Sequence, residues 1–519
     1  MGGDSSAGTA SGTCLLDSLL DGRDDAPALI ADGRAVSRAE LRAAAAAAAG
    51  GLADLGLARG DVLALWLPNG AAWLQLLFAA ARLGLLVVPI STRYKAPEVR
   101  HLLEVSRARA MVAPGNFLET DYAAIANGLK AQVPTLELVL QIDDLSAPLP
   151  FAASGSSGRI AGLASDPLCC FSTSGTTGFP KLAVHDQASI ARHAAHVARM
   201  QEIRPGDAML CVLPLFGVFG FHTALAALAG GATCVFMPVF DAAEAARMIA
   251  QHGITHCNGS DAMFDAVFQV QGADLRSWRR GVFGDFVGLS QQVTQRADQL
   301  GIRLAGVYGS SECFALMSLN PAHMPAKRRA LAGGIPVDPE IRVRVVDPET
   351  DREKPAGEPG EMHIRGPNLM RGYLNNPEAT ARAMTADGWF RTGDLGYSEG
   401  AGFVYQARMG DSLRLRGFLV SPAEIEACLM QHPAVAGAQV VGVRQPGQGD
   451  IAVAWVIATQ DATPHEAALL AHCRANMAAY KVPRRVMVID EFPSINGPNG
   501  IKIQKRVLRE MGISVIEKG

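Results

Sequence analysis

The stretch LCCFSTSGTTGFPKL, residues 168–182, joins an apolar pattern typical of a buried strand to a loop rich in hydroxyl groups and glycine. Gly175 and Gly178 let the backbone turn with its N–H groups toward a ligand, as in an anion-binding nest. Lys181 adds a positive charge suited to the outer oxygens of a phosphate. The pattern differs from the common nucleotide P-loop, G-x-x-x-x-G-K-[ST]. The hydroxyl side chains of the loop are those of Ser172, Thr173, Ser174, Thr176 and Thr177.

Two interpretations of this loop are open from its composition alone: a phosphate-binding loop and a Ser/Thr/Gly linker. The flanking patterns predict a buried strand before the loop and a helix after it, and a linker rarely lies between two such elements. A linker also rarely ends in Pro-Lys, as this stretch does at Pro180 and Lys181. The position therefore favours phosphate binding.

The composition is that of a large folded chain. Of 519 residues, 49% are hydrophobic and 19% are charged, which suffices for a sizeable core and argues against disorder. The length suggests three or four domain-sized units. A net charge of −3 gives no electrostatic reason to expect a nucleic-acid partner.

The compartment is predicted from the cysteines and from the N-terminal region. Nine scattered cysteines without a C-x-x-C pair favour a reducing environment. The start of the chain has no basic region followed by an apolar core, so no signal peptide is expected. The alanine run near residue 45 is short and flanked by charge, and we predict no transmembrane segment. We therefore expect a soluble, cytoplasmic protein.

From about residue 61 the chain alternates strand and helix patterns. Helical spacing of apolar residues is clear in DAAEAARMIAQHG, 241–253. Such alternation predicts an α/β fold with mostly parallel sheets covered by helices. Ligands of these sheets bind beyond the carboxyl ends of the strands, where FSTSGTTG, LFGVFGF and YGSSE all fall. Short buried strands are predicted at 168–171, 208–214, 232–238, 254–257 and 302–309.

The pattern changes after residue 320. IRVRVVDPETDREKPAGEPGEMHIRG has two strand patterns around a polar hairpin, which predicts a small β-rich subdomain at about 321–407. A last unit from 410 combines an acidic helix start, two strands, a helix at 464–477 and a basic tail. With roughly 110 residues it is long enough to fold as its own α+β domain.

Three further motifs carry groups that suit a nucleotide. In VYGSSE, the ring of Tyr308 could stack on a base and Glu312 could hold Mg²⁺. In GWFRTGDLG, a carboxylate at Asp394 in a tight Gly-Asp turn could accept both hydroxyls of a ribose. In NGPNGIKIQKRVLR, a glycine-rich hairpin presents Lys502 ahead of a basic helix. Taken singly, the same residues could be a core tyrosine, surface or turn acids and a solvated basic face.

Together, in this order and with these gaps, the motifs resemble those of the adenylate-forming superfamily: acyl-CoA synthetases, adenylation domains of peptide synthetases, and luciferases. STSGTTGFPK resembles its phosphate loop, YGSSE its Y-G-x-[ST]-E motif and WFRTGDLG its ribose-binding motif. RMGDSLRLRGFLVSPAEIE is similar to its hinge segment, and NGIKIQK to its catalytic-lysine motif. The likeness runs from about residue 14 to residue 510 and covers nearly the whole chain.

The resemblance implies two domains. A large N-terminal AMP-binding domain would span 1–409 and include the β-rich subdomain, and a small mobile C-terminal domain would span 410–519. In the family the C-terminal domain rotates between two half-reactions about a hinge just after the ribose-contacting arginine. Here that hinge is Arg408 to Asp411. Gly410 stands where the family usually has an acid or a lysine, and glycine can adopt the backbone angles that a rotation needs.

The resemblance also implies an ATP-dependent ligase. A carboxylate would attack the α-phosphate of ATP to give an acyl-adenylate and pyrophosphate, and the thiol of coenzyme A would then displace AMP. Lys502 and Glu312 are the implied catalytic residues, with Mg²⁺ held by Glu312 and Thr173. Lys502 would act where negative charge crowds in the transition state. The residues implied to bind ATP or AMP are Ser172, Thr173, Ser174, Gly175, Thr176, Thr177, Gly178, Lys181, Tyr308, Gly309, Ser310, Ser311, Asp394 and Arg408.

The acyl pocket and the coenzyme A tunnel also follow from the resemblance. Gly217 stands where many CoA ligases have a histidine and many domains for α-amino acids have an aspartate, so an α-amino acid is not expected. Gly417 matches the tunnel glycine, although Arg416 replaces the family glycine before it. Asp261 would be unexpected beside an apolar tail and could instead cap a helix. The mostly apolar pocket set suits a fatty or aromatic acid. Its members are Gly217, Phe219, Phe221, Asn258, Gly284 and Gly288.

Two other functions stay open from the sequence. One is a stand-alone adenylating enzyme that passes its acyl group to a separate carrier protein or to an amine. The other is a non-catalytic nucleotide-binding relative, which the combination of Glu312, Asp394, Arg408 and Lys502 disfavours because a binding module needs no catalytic lysine. The sequence names neither the acid nor the oligomeric state, for which a homodimer is one option.

Overall fold

Buried apolar strands alternate with helices along most of the chain, as the sequence pattern predicts. The structure is a computed structural model. This structure describes residues 15–147, 149, 161–173, 181–286, 288–409, 413–415, 418–420, 422–445, 449–460, 462–477, 479, 481–497 and 500–518. In this part of the chain, no helix combines the length and the apolar character that crossing a membrane requires.

A short 3₁₀ helix at Leu15–Leu20 precedes the regular elements. The helices are α1 (Arg38–Asp54), α2 (Ala71–Leu83), α3 (Ala96–Ser106), α4 (Tyr122–Lys130), α5 (Gln187–Met200), α6 (Val218–Ala229), α7 (Ala242–Gln251), α8 (Asp261–Phe268), α9 (Ser290–Gln299), α10 (Ala326–Arg329), α11 (Pro377–Ala383), α12 (Pro422–Leu429), α13 (Glu466–Asn476) and α14 (Lys505–Lys518).

The strands in the first half of the chain are β1 (Pro27–Ala31), β2 (Arg34–Ser37), β3 (Val62–Leu65), β4 (Leu86–Pro89), β5 (Ala110–Pro114), β6 (Asn116–Phe117), β7 (Thr120–Asp121), β8 (Leu138–Ile142), β9 (Pro167–Thr173), β10 (Lys181–Asp186), β11 (Ala208–Cys211), β12 (Thr233–Phe236), β13 (His256–Cys257) and β14 (Gly259–Ser260). Those in the second half are β15 (Arg280–Gly284), β16 (Arg303–Tyr308), β17 (Ser318–Leu319), β18 (Gly333–Pro336), β19 (Arg342–Val346), β20 (Gly360–Arg365), β21 (Gly372–Tyr373), β22 (Phe390–Glu399), β23 (Gly402–Arg408), β24 (Leu413–Leu415), β25 (Phe418–Val420), β26 (Val435–Gln445), β27 (Gly449–Ala458), β28 (Arg485–Val488), β29 (Ser494–Gly497) and β30 (Gly500–Ile503).

Local sequence explains where several helices begin and end. Ser37 accepts a hydrogen bond from the backbone N–H of Glu40, whose carboxylate accepts one from Ser37 in return, so a capping box starts α1. Helix α2 is buried almost all round, as its apolar sequence requires. It ends at Gly84, whose φ of 73° is the left-handed conformation that a glycine C-cap provides.

The chain forms two compact units that exchange segments along the sequence. The first unit comprises Met1–Asn258, Ser310–Ala315 and Asn368–Thr380. The second comprises Gly259–Gly309, Leu316–Pro367 and Ala381–Gly519. The domain boundary between residues 409 and 410 stays a prediction.

The first unit contains a seven-stranded mixed sheet in the order β21-β10-β9-β4-β3-β5-β8. Strands β3, β4, β5, β8 and β9 are parallel, whereas β10 and β21 run antiparallel to their neighbours. One face is covered by an apolar core that includes Trp66, Val88, Leu103, Met111 and Tyr122. Strands β1, β11, β12 and β13 form a second parallel array, with β2 antiparallel at its edge.

The second unit begins with the parallel pair β15 and β16 and continues antiparallel through β17, β18, β23, β22, β20 and β19. The predicted β-rich character after residue 320 is therefore confirmed. The C-terminal part is α+β, with the sheet β25-β24-β27-β26, the parallel strand β28, and helices α12 and α13 packed on it. The hairpin β29–β30 and helix α14 follow, as predicted.

One structural expectation for the 168–182 stretch is wrong. The segment after the loop is not a helix but strand β10, which pairs antiparallel with β9 and places Lys181 opposite Thr173. Helix α5 starts only at Gln187. The run LAVHD after Lys181 is short and mostly buried, and it pairs with a strand on each side, β9 and β21. This pairing in the sheet, and not the spacing of its apolar residues, decides that the run is a strand. The loop thus connects two antiparallel strands.

Candidate active site

In the first unit, the two ends of the phosphate-loop stretch lie beside the segment from Ser310 to Glu312. The hydroxyl of Ser311 donates a hydrogen bond to the carbonyl of Ser172 over 3.2 Å. Thr173 is the neighbour of Ser172 and lies across the strand pair from Lys181. Glu312 follows Ser311 directly, and its backbone N–H is held by the Ser310 hydroxyl at 3.2 Å. The loop residues Ser174, Gly175, Thr176, Thr177 and Gly178 lie outside the described residues.

The first unit offers oxygen ligands of the kind that Mg²⁺ prefers. The hydroxyl oxygen of Thr173 is buried and has no hydrogen-bond partner among the described residues. Glu312 is half-buried. Its backbone carbonyl accepts a hydrogen bond from the N–H of Met370 at 2.7 Å. An unpaired buried hydroxyl is costly, so Thr173 fits a position that a bound cation or phosphate group would satisfy.

Tyr373 joins two of the predicted site residues and was not predicted from the sequence. Its hydroxyl donates a hydrogen bond to Oε1 of Glu312 over 2.9 Å. The Nζ atom of Lys181 lies 4.4 Å from the centroid of the same ring. Tyr373 is 61 residues from Glu312 along the chain, so no local spacing could indicate the contact.

A buried histidine fixes the Ser311 segment from the other side. Nε2 of His185 lies 2.7 Å from the carbonyl oxygen of Ser311, and because a carbonyl only accepts, Nε2 carries the proton. The imidazole stacks on Phe314 with ring centroids 3.7 Å apart. Phe314 has a φ of 57°, which an aromatic residue adopts only when its surroundings hold it there. Further buried imidazoles, those of His193 and His222, also pack against Phe314.

Burial lowers the pKa of His185 to about 3. The unfolded value is about 6.5, so the unfolded chain takes up a proton first as the pH falls. Burying the neutral imidazole therefore contributes its full stability above about pH 6.5. As the pH falls from about 6.5 to about 3, the pKa in the folded protein, this contribution to the free energy of unfolding is lost. We expect this histidine to cost the wild-type protein up to about 1.4 kcal/mol of unfolding free energy per pH unit below about pH 6. His185→Gln keeps a hydrogen-bond donor without this titration, and its urea-unfolding midpoint should fall less steeply with acidity.

The matched control for this measurement is His323→Gln, since His323 is exposed. The urea midpoint of His185→Gln should depend less steeply on pH than that of this variant. Equal slopes for His185→Gln and wild type would contradict the prediction.

In the second unit, Asp394 binds two neighbours through its carboxylate. Oδ1 accepts a hydrogen bond from Arg408 at 2.9 Å, and Oδ2 accepts one from the hydroxyl of Tyr308 at 2.6 Å. The Asp394 side chain is 7% exposed and that of Arg408 is 54% exposed, so the guanidinium reaches solvent. The structure therefore brings together three residues that the sequence assigns to nucleotide binding.

Asp394 does not lie in a tight Gly-Asp turn, and that expectation is wrong. It lies inside the ten-residue strand β22, directly opposite Arg408 on β23. The pairing of β22 with β20 shifts register between Glu361 and His363, and Gly393 has a φ of 67°. The Gly-Asp pair thus forms a bulge, which aims a side chain out of the regular alternation. A Gly-Asp pair predicts a turn from local sequence, and only the partner strands decide between a turn and a bulge.

Hydrogen bonds hold this bulge in place. The carboxylate of Glu361, on β20, accepts from the N–H of Gly393 at 3.0 Å. The Thr392 hydroxyl donates to the carbonyl of Met362 at 2.6 Å and accepts from the N–H of Asp394 at 3.0 Å. The position of Asp394 is therefore fixed by its neighbours on two strands.

The Tyr308 ring is buried at the end of β16. It packs edge-on against Phe403 and tilted against Tyr405, in each case with ring centroids 5.3 Å apart. The sequence predicted an aromatic ring at a strand end, and this placement is confirmed. The contact of its hydroxyl with Asp394 was not predicted, because the two residues are 86 positions apart. Gly309 follows the strand and is exposed.

Lys502 lies on β30 of the predicted hairpin, opposite Ile495 on β29, and is exposed to solvent. The residue after Arg408, Met409, donates its N–H to the Gly393 carbonyl at 2.8 Å. The remaining predicted hinge residues, Gly410 and Asp411, and the predicted tunnel glycine, Gly417, lie outside the described residues.

The predicted acyl-pocket residues of the first unit cluster on α6 and its neighbours. Gly217 is the N-cap of α6, and Phe219 is buried within its first turn. Phe221 is fully buried and packs edge-on against Trp73 and Phe171, so it belongs to the aromatic core. Asn258 donates to the Thr223 hydroxyl at 3.1 Å, which places a buried polar pair beside these rings.

In the second unit, Gly284 ends β15 and Gly288 has a φ of 88°. A side chain at Gly284 would approach the ring of Phe286 to 2.6 Å. The carboxylate of Asp261 accepts hydrogen bonds from the backbone N–H groups of Phe286 and Leu289, at 3.1 and 3.0 Å. Asp261 therefore binds the backbone ahead of α9, in line with the capping alternative that the sequence allowed.

Known proteins resemble the chain over nearly its whole length. The family described as AMP-binding enzyme matches residues 18–374, and its C-terminal domain matches residues 424–496. A Mycobacterium tuberculosis protein named 3-[(3aS,4S,7aS)-7a-methyl-1,5-dioxo-octahydro-1H-inden-4-yl]propanoyl:CoA ligase is 34% identical, covering 96% of this chain and 98% of its own. The long-chain-fatty-acid–CoA ligase FadD13 of M. tuberculosis is 31% identical, with 92% and 94% covered.

The fold also resembles that of solved structures. The crystal structure of ATP-bound MatB from Rhodopseudomonas palustris superposes with a TM-score of 0.85 at 27% sequence identity and covers 96% of this chain and 99% of its own. The motifs, the α/β architecture and the matched families agree. The chain belongs to the AMP-binding enzymes, the adenylate-forming family of AMP-dependent synthetases and ligases.

Proposed function

We propose that this AMP-forming acid–thiol ligase uses ATP to activate a hydrophobic carboxylic acid and transfers the acyl group to coenzyme A. The observation that carries the proposal is the grouping in the first unit of Ser172, Thr173 and Lys181 with Ser311 and Glu312. Hydroxyls, one ammonium and one carboxylate at the ends of a glycine-rich loop suit a metal-bound polyphosphate.

The first half-reaction needs a positive field around the reacting phosphate. The carboxylate oxygen of the acid attacks the α-phosphorus, and the bond from that phosphorus to the bridging oxygen of pyrophosphate breaks. In our proposal Ser311 contacts the α-phosphate, and the 172–181 loop with Lys181 orients the outer phosphates. Lys502 neutralises the charge that accumulates between the carboxylate and the α-phosphate, which is the usual main source of rate enhancement.

Mg²⁺ fits the residues that we assign to it. We propose that Glu312 and Thr173 hold it, because a carboxylate and a buried hydroxyl without a hydrogen-bond partner are hard oxygen donors. When bound, the ion would neutralise phosphate charge and so favour pyrophosphate as a leaving group.

The ribose and the base would be held by the second unit. We propose that the Asp394 carboxylate, already oriented by Arg408 and Tyr308, accepts the ribose hydroxyls through its remaining lone pairs. The ring of Tyr308 would contact the adenine. We propose that Gly309 and Ser310, which follow Tyr308 in the chain, also bind the nucleotide.

The second half-reaction transfers the acyl group. The thiolate sulfur of coenzyme A attacks the carbonyl carbon of the acyl-adenylate, and AMP leaves with the mixed-anhydride oxygen. We propose that the part of the chain from residue 410 rotates about the Arg408–Asp411 hinge between the two steps, and that Gly417 lines the path of the thiol. These assignments rest on the motif resemblance.

A bulky apolar acid is the substrate class that we favour. Phe219, in the first turn of α6, offers an apolar side chain close in the chain to Gly217, which leaves space where a larger side chain is common in the family. The 34%-identical relative is named for a propanoyl group on a fused two-ring system, and another is named for long-chain fatty acids. We therefore propose a ring-bearing or long-chain acid as substrate.

The test is a panel of carboxylic acids, assayed for pyrophosphate release and for thioester with and without coenzyme A. The panel should contain fatty acids, aryl acids, fused-ring propanoic acids and a short dicarboxylic acid. We expect coenzyme A-dependent thioester with an apolar acid and little activity with the dicarboxylic acid. If the acids give pyrophosphate release but no coenzyme A-dependent thioester, coenzyme A is not the acyl acceptor. A carrier protein or an amine would then be favoured as the acceptor.

We also propose that the enzyme works in the cytoplasm, where ATP and coenzyme A are available. Each cysteine in the described residues is buried and forms no disulfide, which fits a reducing compartment. The mass in solution, measured by light scattering and compared with the 54.6 kDa of one chain, tests whether a homodimer forms.

A further inference from the structure

Tyr373 contacts two residues of the proposed phosphate site through different parts of its side chain. The hydroxyl donates to Oε1 of Glu312 at 2.9 Å, and the ring face lies 4.4 Å from Nζ of Lys181. The first contact is a hydrogen bond to a carboxylate, and the second has the geometry of a cation–π interaction. One side chain therefore adjoins both the proposed metal ligand and a proposed phosphate ligand.

The backbone around Tyr373 is fixed to the strand that starts at Lys181. Strand β21 pairs with β10, with Tyr373 opposite Ala183. On its two sides, the N–H of Arg371 donates to Val184 and the N–H of Leu374 donates to Leu182, each over 2.8 Å. The N–H of Tyr373 itself donates to the Thr380 hydroxyl at 2.9 Å, and the side chain is almost fully buried. The ring is thus held rigidly at the point where Lys181 enters the sheet.

The hydrogen bond orients the Glu312 carboxylate without blocking it. Tyr373 occupies one lone pair of Oε1 and leaves Oε2 to bind a cation. A ligand carboxylate that a neighbour holds in place loses less rotational freedom when the metal binds. Hydrogen-bond partners behind metal ligands typically contribute about 10–100-fold to metal affinity or activity.

We propose that Tyr373 is a positioning residue of the adenylation half-reaction: its hydroxyl sets the orientation of Glu312 for Mg²⁺, and its ring holds the ammonium of Lys181 beside the phosphate loop. The inference rests on the proposed function, which assigns Glu312 and Lys181 to the metal and the phosphates. It adds a residue that touches neither substrate nor metal.

The two contacts can be separated by substitution. Tyr373→Phe removes the hydroxyl and keeps the ring, whereas Tyr373→Leu removes both. The measurement is equilibrium binding of Mn²⁺, followed by electron paramagnetic resonance in the presence of a non-hydrolysable ATP analogue, together with the affinity for that analogue at saturating Mg²⁺. For Tyr373→Phe we expect Mn²⁺ affinity to fall about tenfold while analogue affinity at saturating Mg²⁺ stays unchanged. For Tyr373→Leu both affinities should fall.

Tyr122→Phe is the matched control, because the hydroxyl of Tyr122 also donates a hydrogen bond, to the carbonyl of Thr92 at 2.7 Å, in the core of the same unit. It should lower the unfolding midpoint as Tyr373→Phe does and leave Mn²⁺ affinity at the wild-type value. Wild-type Mn²⁺ affinity in Tyr373→Phe, or an equal loss in Tyr122→Phe, would overturn the proposal. If the wild-type protein binds no Mn²⁺ in the presence of the ATP analogue, the proposed function itself is contradicted.

Discussion

Replacing Lys502 with alanine is expected to lower the rate of acyl-adenylate formation by about 10²–10³-fold or more, because it removes a charge placed where the transition state develops its own. Lys502 is exposed on β30, in a two-stranded hairpin, so the truncation leaves no cavity and should hardly change stability. The measurement is the acid-dependent exchange of pyrophosphate into ATP.

Lys505→Ala is the matched control for this loss. Lys505 lies three residues further on, at the start of α14, and forms an ion pair with Glu426 at 3.2 Å. Its removal should leave exchange near the wild-type rate, because Lys505 pairs with Glu426 of α12 and not with a residue assigned to ATP or to the acid. Lys502→Ala should still convert preformed acyl-adenylate and coenzyme A to thioester. Wild-type exchange in Lys502→Ala would contradict the assignment.

Replacing Asp394 with asparagine is expected to raise the KM for ATP by about tenfold to 100-fold. The substitution keeps the size of the side chain but removes the charge that Arg408 and Tyr308 orient, and charge-assisted hydrogen bonds contribute about 1.5–3 kcal/mol. The amide also offers only one oxygen to the ribose hydroxyls. Initial rates of pyrophosphate release at varied ATP give the KM.

The neighbouring pair Asp351–Arg391 supplies the control for Asp394→Asn. Arg391 is on the same strand, β22, and its guanidinium donates two hydrogen bonds to Asp351 at 2.7 and 2.6 Å. Asp351→Asn makes the same chemical change on a half-exposed ion pair and should leave the KM for ATP unchanged. A normal KM in Asp394→Asn would show that Asp394 does not contact the nucleotide.

The sequence was sufficient for the fold class and for most of the elements. The strand that ends at Thr173, the strand that ends at Tyr308 and the hairpin that carries Lys502 were all predicted from apolar runs and turn residues. These features depend on residues that are close in the chain, and local hydrophobic spacing reports them directly. The matched family range 18–374 includes the phosphate-loop stretch and the YGSSE segment.

The two structural errors share one cause. The segment after the phosphate loop is a strand because β9 and β21 flank it, and Asp394 lies in a bulge because β20 and β23 pair unevenly around it. In both places a local pattern allows two conformations, and the partner strands select one. Those partners are up to about 190 residues away, beyond any spacing rule.

The sequence by itself determined which chemical groups this protein carries and in which order, from the hydroxyls before Lys181 to Lys502. Only the tertiary structure decided what holds these groups in place. Tyr373 donates a hydrogen bond to Glu312, and His185 donates one to the carbonyl of Ser311. Motif residues are recognisable because their chemistry and spacing are constrained together. Supporting residues act through contacts between distant parts of the chain, and such contacts exist only once the sheets have formed.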